Sequence, residues 1–178
     1  AGMGIWVNGA GTTTNPALVT NNVVTGGTDC LKLTSGYYTV SFNQLAGSGF
    51  KISVDPTTRV TYAGNTIDWS SGHKGVAISG TVLQDTTWST ASNLGQPYVV
   101  TGNVTVNAGV KLTIEPGTVV KFDLNRTLYV YGELNAQGTS SAPIYFTSIR
   151  DDSSETGGDT NGDGALTQPS AGDWNYVY

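Results

Sequence analysis

Short runs in which apolar side chains alternate with Thr, Ser, Lys or Asn succeed one another along the first 80 residues, separated by turns rich in Gly, Asn, Ser and Thr. Alternation with period 2 marks a strand with one packed face and one solvated face. Gly4-Ile5-Trp6-Val7, Cys30-Leu31-Lys32-Leu33, Phe50-Lys51-Ile52-Ser53 and Gly75-Val76-Ala77-Ile78 read as the first strands of successive units, with starts 26, 20 and 25 residues apart. A second run follows within each unit, at Ala17–Val24, Tyr38–Leu45 and Arg59–Ile67. No helical pattern separates the units, so each is one supersecondary element stacked on its neighbours.

The second runs carry a common phrase: Asn21-Asn22-Val23-Val24, Asn43-Gln44-Leu45 and Asn65-Thr66-Ile67. Asn22, Asn43 and Asn65 recur at steps of 21 and 22 residues. Stacked at the inter-strand spacing of roughly 4.8 Å, their amides would bond one to the next as an asparagine ladder. The predicted fold is all-β, a right-handed parallel β-helix of about six or seven coils. Evenly spaced short strands also suit a β-sandwich. The near-regular Asn spacing and the lack of two-residue hairpin signals favour the solenoid.

Residues 1–80 form the Asn-ladder coils on this reading, 81–97 a looser connection, and 98–178 further coils. In the last part the repeat is strand, Gly-bearing turn, strand; Pro116-Gly117 fits a type II turn in which Gly takes the positive φ. Leu112-Thr-Ile-Glu-Pro-Gly-Thr-Val-Val-Lys-Phe122, Val130-Tyr-Gly-Glu-Leu-Asn-Ala-Gln-Gly-Thr139, Pro143-Ile-Tyr-Phe-Thr-Ser148 and the acidic loop ending Gly172-Asp-Trp174 carry a resemblance. They resemble β-helix repeats of large prokaryotic surface proteins, adhesin-like and S-layer-associated ones among them. Residues 4–80 resemble the more generic coils of pectate-lyase-like β-helices. The resemblance implies the fold and an extracellular or cell-surface address. It implies no particular activity, because this fold hosts lyases, hydrolases, adhesins and spikes.

Composition narrows the function. With 13 acidic against 8 basic residues the net charge is −5, and no basic stripe of the kind nucleic-acid binding needs is present. No apolar run approaches the roughly 18–20 residues that span a bilayer. Cys30 is the single cysteine and reads as a buried structural thiol. The chain opens at Gly4-Ile5-Trp6-Val7 and closes on Trp174-Asn-Tyr-Val-Tyr178, strand-like at once at both ends. Uncapped coil edges invite head-to-tail self-association through Ile5, Trp6, Trp174, Tyr176 and Tyr178, with the three aromatics of the last run on one side. Excision from a longer β-helix accounts for the same bare edges equally well.

Candidate chemistry concentrates in Asp151–Gly164. Asp159-Thr-Asn161-Gly-Asp163-Gly matches D-x-N-x-D-G, the front of a calcium loop, in which alternate oxygens converge as glycines let the backbone curl. The twelfth position is Ser170 rather than Glu, so a bidentate ligand must come from Asp151, Asp152, Glu155 or Asp173. The expected metal set is Asp159, Asn161 and Asp163 with Asp151 and Asp152, and the expected cofactor is calcium; a solvated acidic loop is the plain alternative.

Elsewhere the residues read as structural. His73 reads as a solvated turn residue, and Lys32 and Lys51 as an exposed basic pair. Tyr129 and Tyr131 share a strand face and would serve as a sugar platform if exposed. Asn103-Val-Thr105 and Asn125-Arg-Thr127 are glycosylation sequons. No catalytic residue is assigned. The reading is a structural or adhesive extracellular module that self-assembles end to end; the alternative is a polysaccharide-binding or polysaccharide-cleaving β-helix. A Thr array for ice or mineral is disfavoured, because Thr13, Thr34, Thr57 and Thr81 fall in turns.

Overall fold

A computed structural model describes residues 2–178. The chain winds into about seven stacked coils joined by parallel strands throughout. The first three coils contribute β1 (Ile5–Asn8), β2 (Ala17–Thr20) and β3 (Val23–Gly27); β4 (Leu31–Thr34), β5 (Tyr37–Ser41) and β6 (Gln44–Gly47); and β7 (Ile52–Val54), β8 (Arg59–Ala63) and β9 (Thr66–Ile67). In the fourth and fifth coils a single long strand, β10 (Val76–Val82) or β12 (Tyr98–Val106), serves two faces, followed by β11 (Thr86–Trp88) or β13 (Lys111–Ile114). The sixth contains β14 (Val119–Phe122), β15 (Thr127–Val130) and β16 (Glu133–Ala136), and the last β17 (Tyr145–Ser148) and β18 (Tyr176–Val177).

One face is continuous from end to end, in the order β1-β4-β7-β10-β12-β14-β17. Its register places Ile5, Leu31, Ile52, Val76, Tyr98, Val120 and Phe146 in one column, most of them buried. The next column, two residues on, includes the fully buried Leu33, Val100 and Phe122. Stacking like side chains on like at each level fills the narrow bore, and this is why the period-2 pattern was legible. The intervening residues, Trp6, Lys32, Ser53, Ala77, Val99, Lys121 and Thr147, form a column on the outside of the same sheet.

The other two faces are interrupted. β8 and β9 pair only with the second coil, whereas the end of β10 and all of β11 pair only with the fifth. Two buried clusters result, one per half, and Val54 touches both. Residues 81–97, expected as a connection, instead belong to the fourth coil, supplying the end of β10, all of β11 and a 3₁₀ turn at Ala91–Asn93. Leu94, in a left-handed conformation after that turn, packs against the N-terminal cluster.

Candidate functional site

At one corner of the first three coils, Asn21 and Phe42 adopt left-handed conformations that only Gly64 takes without strain. Each is followed by Asn22, Asn43 or Asn65. Oδ1 of Asn43 accepts both the backbone and the side-chain N–H of Asn22, at 2.9 Å each. Oδ1 of Asn65 accepts the same pair from Asn43, at 3.0 Å. The amide of Asn43 also donates to the Val19 carbonyl, and that of Asn65 to the Val40 carbonyl, both at 2.8 Å. A second corner, which sequence reading missed, joins Asn103, Thr127 and Asn175: Asn103 accepts from the Thr127 backbone, and Asn175 donates to the Thr127 hydroxyl, at 3.0 Å each. Substituting Thr for Asn in the middle rung removed the repeat that would have revealed it.

The acidic segment lies against the outside of the continuous sheet. Ile149 packs with Phe50, Ala77 and Val99. Gly162 sits so close to Gly72 that a Cβ there would fall 2.7 Å from the Gly72 carbonyl oxygen. Beneath it Lys121, fully buried, donates to the carbonyls of Asp151 at 2.5 Å and Gly158 at 2.8 Å and to the Thr160 hydroxyl at 2.6 Å. Burial pushes the Lys121 pKa down to about 8 against the pull of Asp151, Asp152 and Asp159. Lys121 thus pins the segment to the frame.

The carboxylates are not equivalent. Asp159 accepts from the backbone of Gly162 at 2.7 Å and Gly164 at 2.9 Å. Asp163 accepts from Asn161 Nδ2 and from the Thr167 hydroxyl and backbone, and the Thr167 hydroxyl in particular holds its pKa low. For Asp151 burial opposes ionisation, but bonds from Thr147 and Ser153 outweigh it. Asp173 is similarly engaged by Ser148 at 2.7 Å and Arg150 at 2.9 Å, and Glu155 is exposed. Asp152 differs: both its oxygens are shielded from solvent and have no partner among the described residues. Burial raises its pKa, and Asp159 and Asp163 add to the rise. As placed, no three His, Cys, Asp or Glu side chains among the described residues form a metal-holding group.

The aromatics at the far end divide. Trp174 stacks on Phe122 at 4.5 Å and packs against the C-terminal core. It therefore does not share a side with Tyr176 and Tyr178, and Asn175 between them donates to the Asn125 carbonyl and the Thr127 hydroxyl. Tyr176 and Tyr178 instead join Tyr129 and Tyr131 in an outer patch, with ring centroids 6.0–6.4 Å apart along the chain of contacts. Tyr131, Tyr176 and Tyr178 are 61%, 49% and 72% exposed. At the opposite end Trp6 is 62% exposed with the Lys32 ammonium 5.7 Å from its ring, whereas Ile5 packs against the N-terminal cluster.

Lys32 and Lys51 do not form an exposed pair. Lys51 is fully buried and donates to the carbonyls of Gly49, Ser71 and His73, so it staples the 68–75 turn as Lys121 staples the acidic segment. His73 is half-buried and stacks on Phe50 at 4.7 Å, and burial lowers its pKa. Cys30 is a buried free thiol. No helix among the described residues is long and apolar enough to cross a membrane.

Residues 80–162 match a family model described as a pectate-lyase like beta helix domain. No curated protein and no solved structure matches the chain. The family match runs from within β10 through β17 into the acidic segment and agrees with the observed solenoid.

Proposed function

We propose that this chain is a structural or adhesive extracellular module, a stiff parallel β-solenoid that works through its surface. The observation that carries this reading is the patch formed by Tyr129, Tyr131, Tyr176 and Tyr178. Contiguous exposed apolar surface on a soluble frame marks an interaction site. Tyr gives large contact area at low entropic cost and is enriched in interfaces. The patch belongs to the last coils and exposed Trp6 to the first, so a contact of one with the other between copies is heterologous and propagates into a filament. Electron microscopy of the purified chain tests this: filaments or a lattice are expected, and isolated short rods at all concentrations would refute self-assembly.

The same reading includes calcium in the acidic segment. Asp152, with two shielded and unpartnered oxygens beside Asp159 and Asp163, fits a hard cation, which takes carboxylate oxygens and relieves their mutual repulsion. Asp159, Asn161 and Asp163 are the remaining oxygen donors, and the ion would lock the segment over Lys121. Asp151 contributes through its engaged carboxylate only if its Thr147 bond opens.

A glycan reading draws support from the open part of the outer column, where Trp6 and Lys32 lie beside Ser53. An aromatic face with flanking polar groups suits a sugar ring.

A further inference from the structure

Where the lateral sheets break between the third and fourth coils, a cavity of about 300 Å³ opens between β8 and β11. That is the lower end of the range for small-molecule sites. Tyr37, Tyr38, Tyr62, Trp88 and Tyr98 supply its aromatic lining, and Trp88 stacks on Tyr98 at 5.1 Å. The hydroxyl of Tyr62 is buried and has no partner among the described residues, a donor whose desolvation is left uncompensated.

The positive charge in the cavity comes from Arg59. Its Nη1 donates to the Thr57 carbonyl at 3.0 Å, and its Nη2 to the Asp85 carbonyl at 2.7 Å and the Thr86 hydroxyl at 3.2 Å. All three acceptors are neutral, and neither ion pair among the described residues includes Arg59. Asp55 also lines the cavity but is occupied: its carboxylate accepts from Ser35, Thr57 and Thr58 in its own and the neighbouring turn. Arg59 keeps two further N–H donors and an unneutralised positive charge.

We propose that this cavity binds a small aromatic carboxylate, with the ring among Tyr37, Tyr62 and Trp88, the carboxylate on Arg59, and one oxygen accepting from the Tyr62 hydroxyl. The site is independent of the tyrosine patch and of the acidic segment. It exists because the two half-stacks share only one continuous sheet: the wedge between them is open on the other faces, and Arg59 bridges its rim from β8 to the start of β11.

Calorimetric titration of the intact chain with benzoate, and with neutral benzamide as the matched control, tests the proposal. Benzoate should bind saturably and benzamide about tenfold more weakly or worse, since the charge-assisted pair is lost. Arg59→Gln should reduce benzoate to the level of benzamide, and Tyr62→Phe, which removes one hydroxyl and little volume, should weaken it several-fold. Lys74→Gln, outside the cavity, should change nothing. If Arg59→Gln fails to fold, Tyr62→Phe and the benzamide comparison decide. The proposal is overturned if wild-type protein takes up no benzoate, if benzamide binds equally well, or if Tyr62→Phe binds benzoate as wild type does.

Discussion

A single side-chain oxygen of Asn43 receives both N–H groups of Asn22, so the backbone and the side chain of one coil are tied to the same atom of the next. Asn43 is buried and repeats the arrangement toward Asn65. Asn43→Ala strips partners from both neighbouring coils, at about 1–3 kcal/mol for each buried group left unpaired. Asn65→Ala should cost less, and Asn22→Ala least, because Asn22 only donates. Chemical denaturation of the three variants checks the order; equal losses would contradict a directional ladder.

Asp173 ties Ser148, Arg150 and the Ser170 backbone together. Burial opposes its ionisation, but these bonds win and hold its pKa below the usual value. A depressed carboxylate stabilises the fold above its unfolded pKa and loses that contribution as pH falls through the folded one. Asp173→Asn should therefore cost about 1.5–3 kcal/mol at neutral pH, in the range for hydrogen bonds to charged groups. The gap from wild type should close below about pH 3.9. A gap that stays constant down to pH 2 would assign the loss to packing.

Lys121 titrates the other way. Its folded pKa of about 8 lies below that of the unfolded chain, so the unfolded state binds more protons above pH 8 and this group's contribution to stability rises with pH. Buried Cys30, with a raised pKa, opposes it in the same window. The informative quantity is the difference between wild type and Lys121→Met: wild type should gain relative to the variant from pH 8 to 10. Amides at 151–160 should exchange faster in the variant. A pH-independent difference would mean that Lys121 is not the titrating staple.

Calcium should act through Asp152. Without metal, Asp152→Asn removes a shielded charge repelled by Asp159 and Asp163, so the variant should melt above wild type in chelator. With calcium, wild type should rise by mass action, by about 2.7 kcal/mol at a hundredfold excess over Kd, and the variant should not. Identical melting of both proteins with and without calcium would reduce the segment to a self-bonded acidic loop.

The solenoid was legible in the sequence because its causes are local. Alternation fixes which side of a strand is buried, and Asn recurring every coil fixes the stacking. The break after β8 shows in the sequence only as the looser stretch at 81–97, and the missing partners of β8, β9 and β11 reveal it. Lys51 misled for a related reason. A lysine on an outward position reads as solvated, and only a distant turn folding over it makes it buried. Tyr129 and Tyr131 were legible as one face, but their union with Tyr176 and Tyr178 depends on β18 pairing with β15 some 50 residues earlier in the chain.

If the exposed aromatics are contact surface, sedimentation velocity over a rising concentration series, at low and high salt, should separate wild type from Tyr131→Ser/Tyr178→Ser. Wild type should form larger species that persist in high salt, because apolar burial rather than charge drives the contact. The double variant, with the frame intact by circular dichroism, should sediment as a monomer throughout. Wild type that stays monomeric at every concentration, or a double variant that assembles equally well, would contradict it.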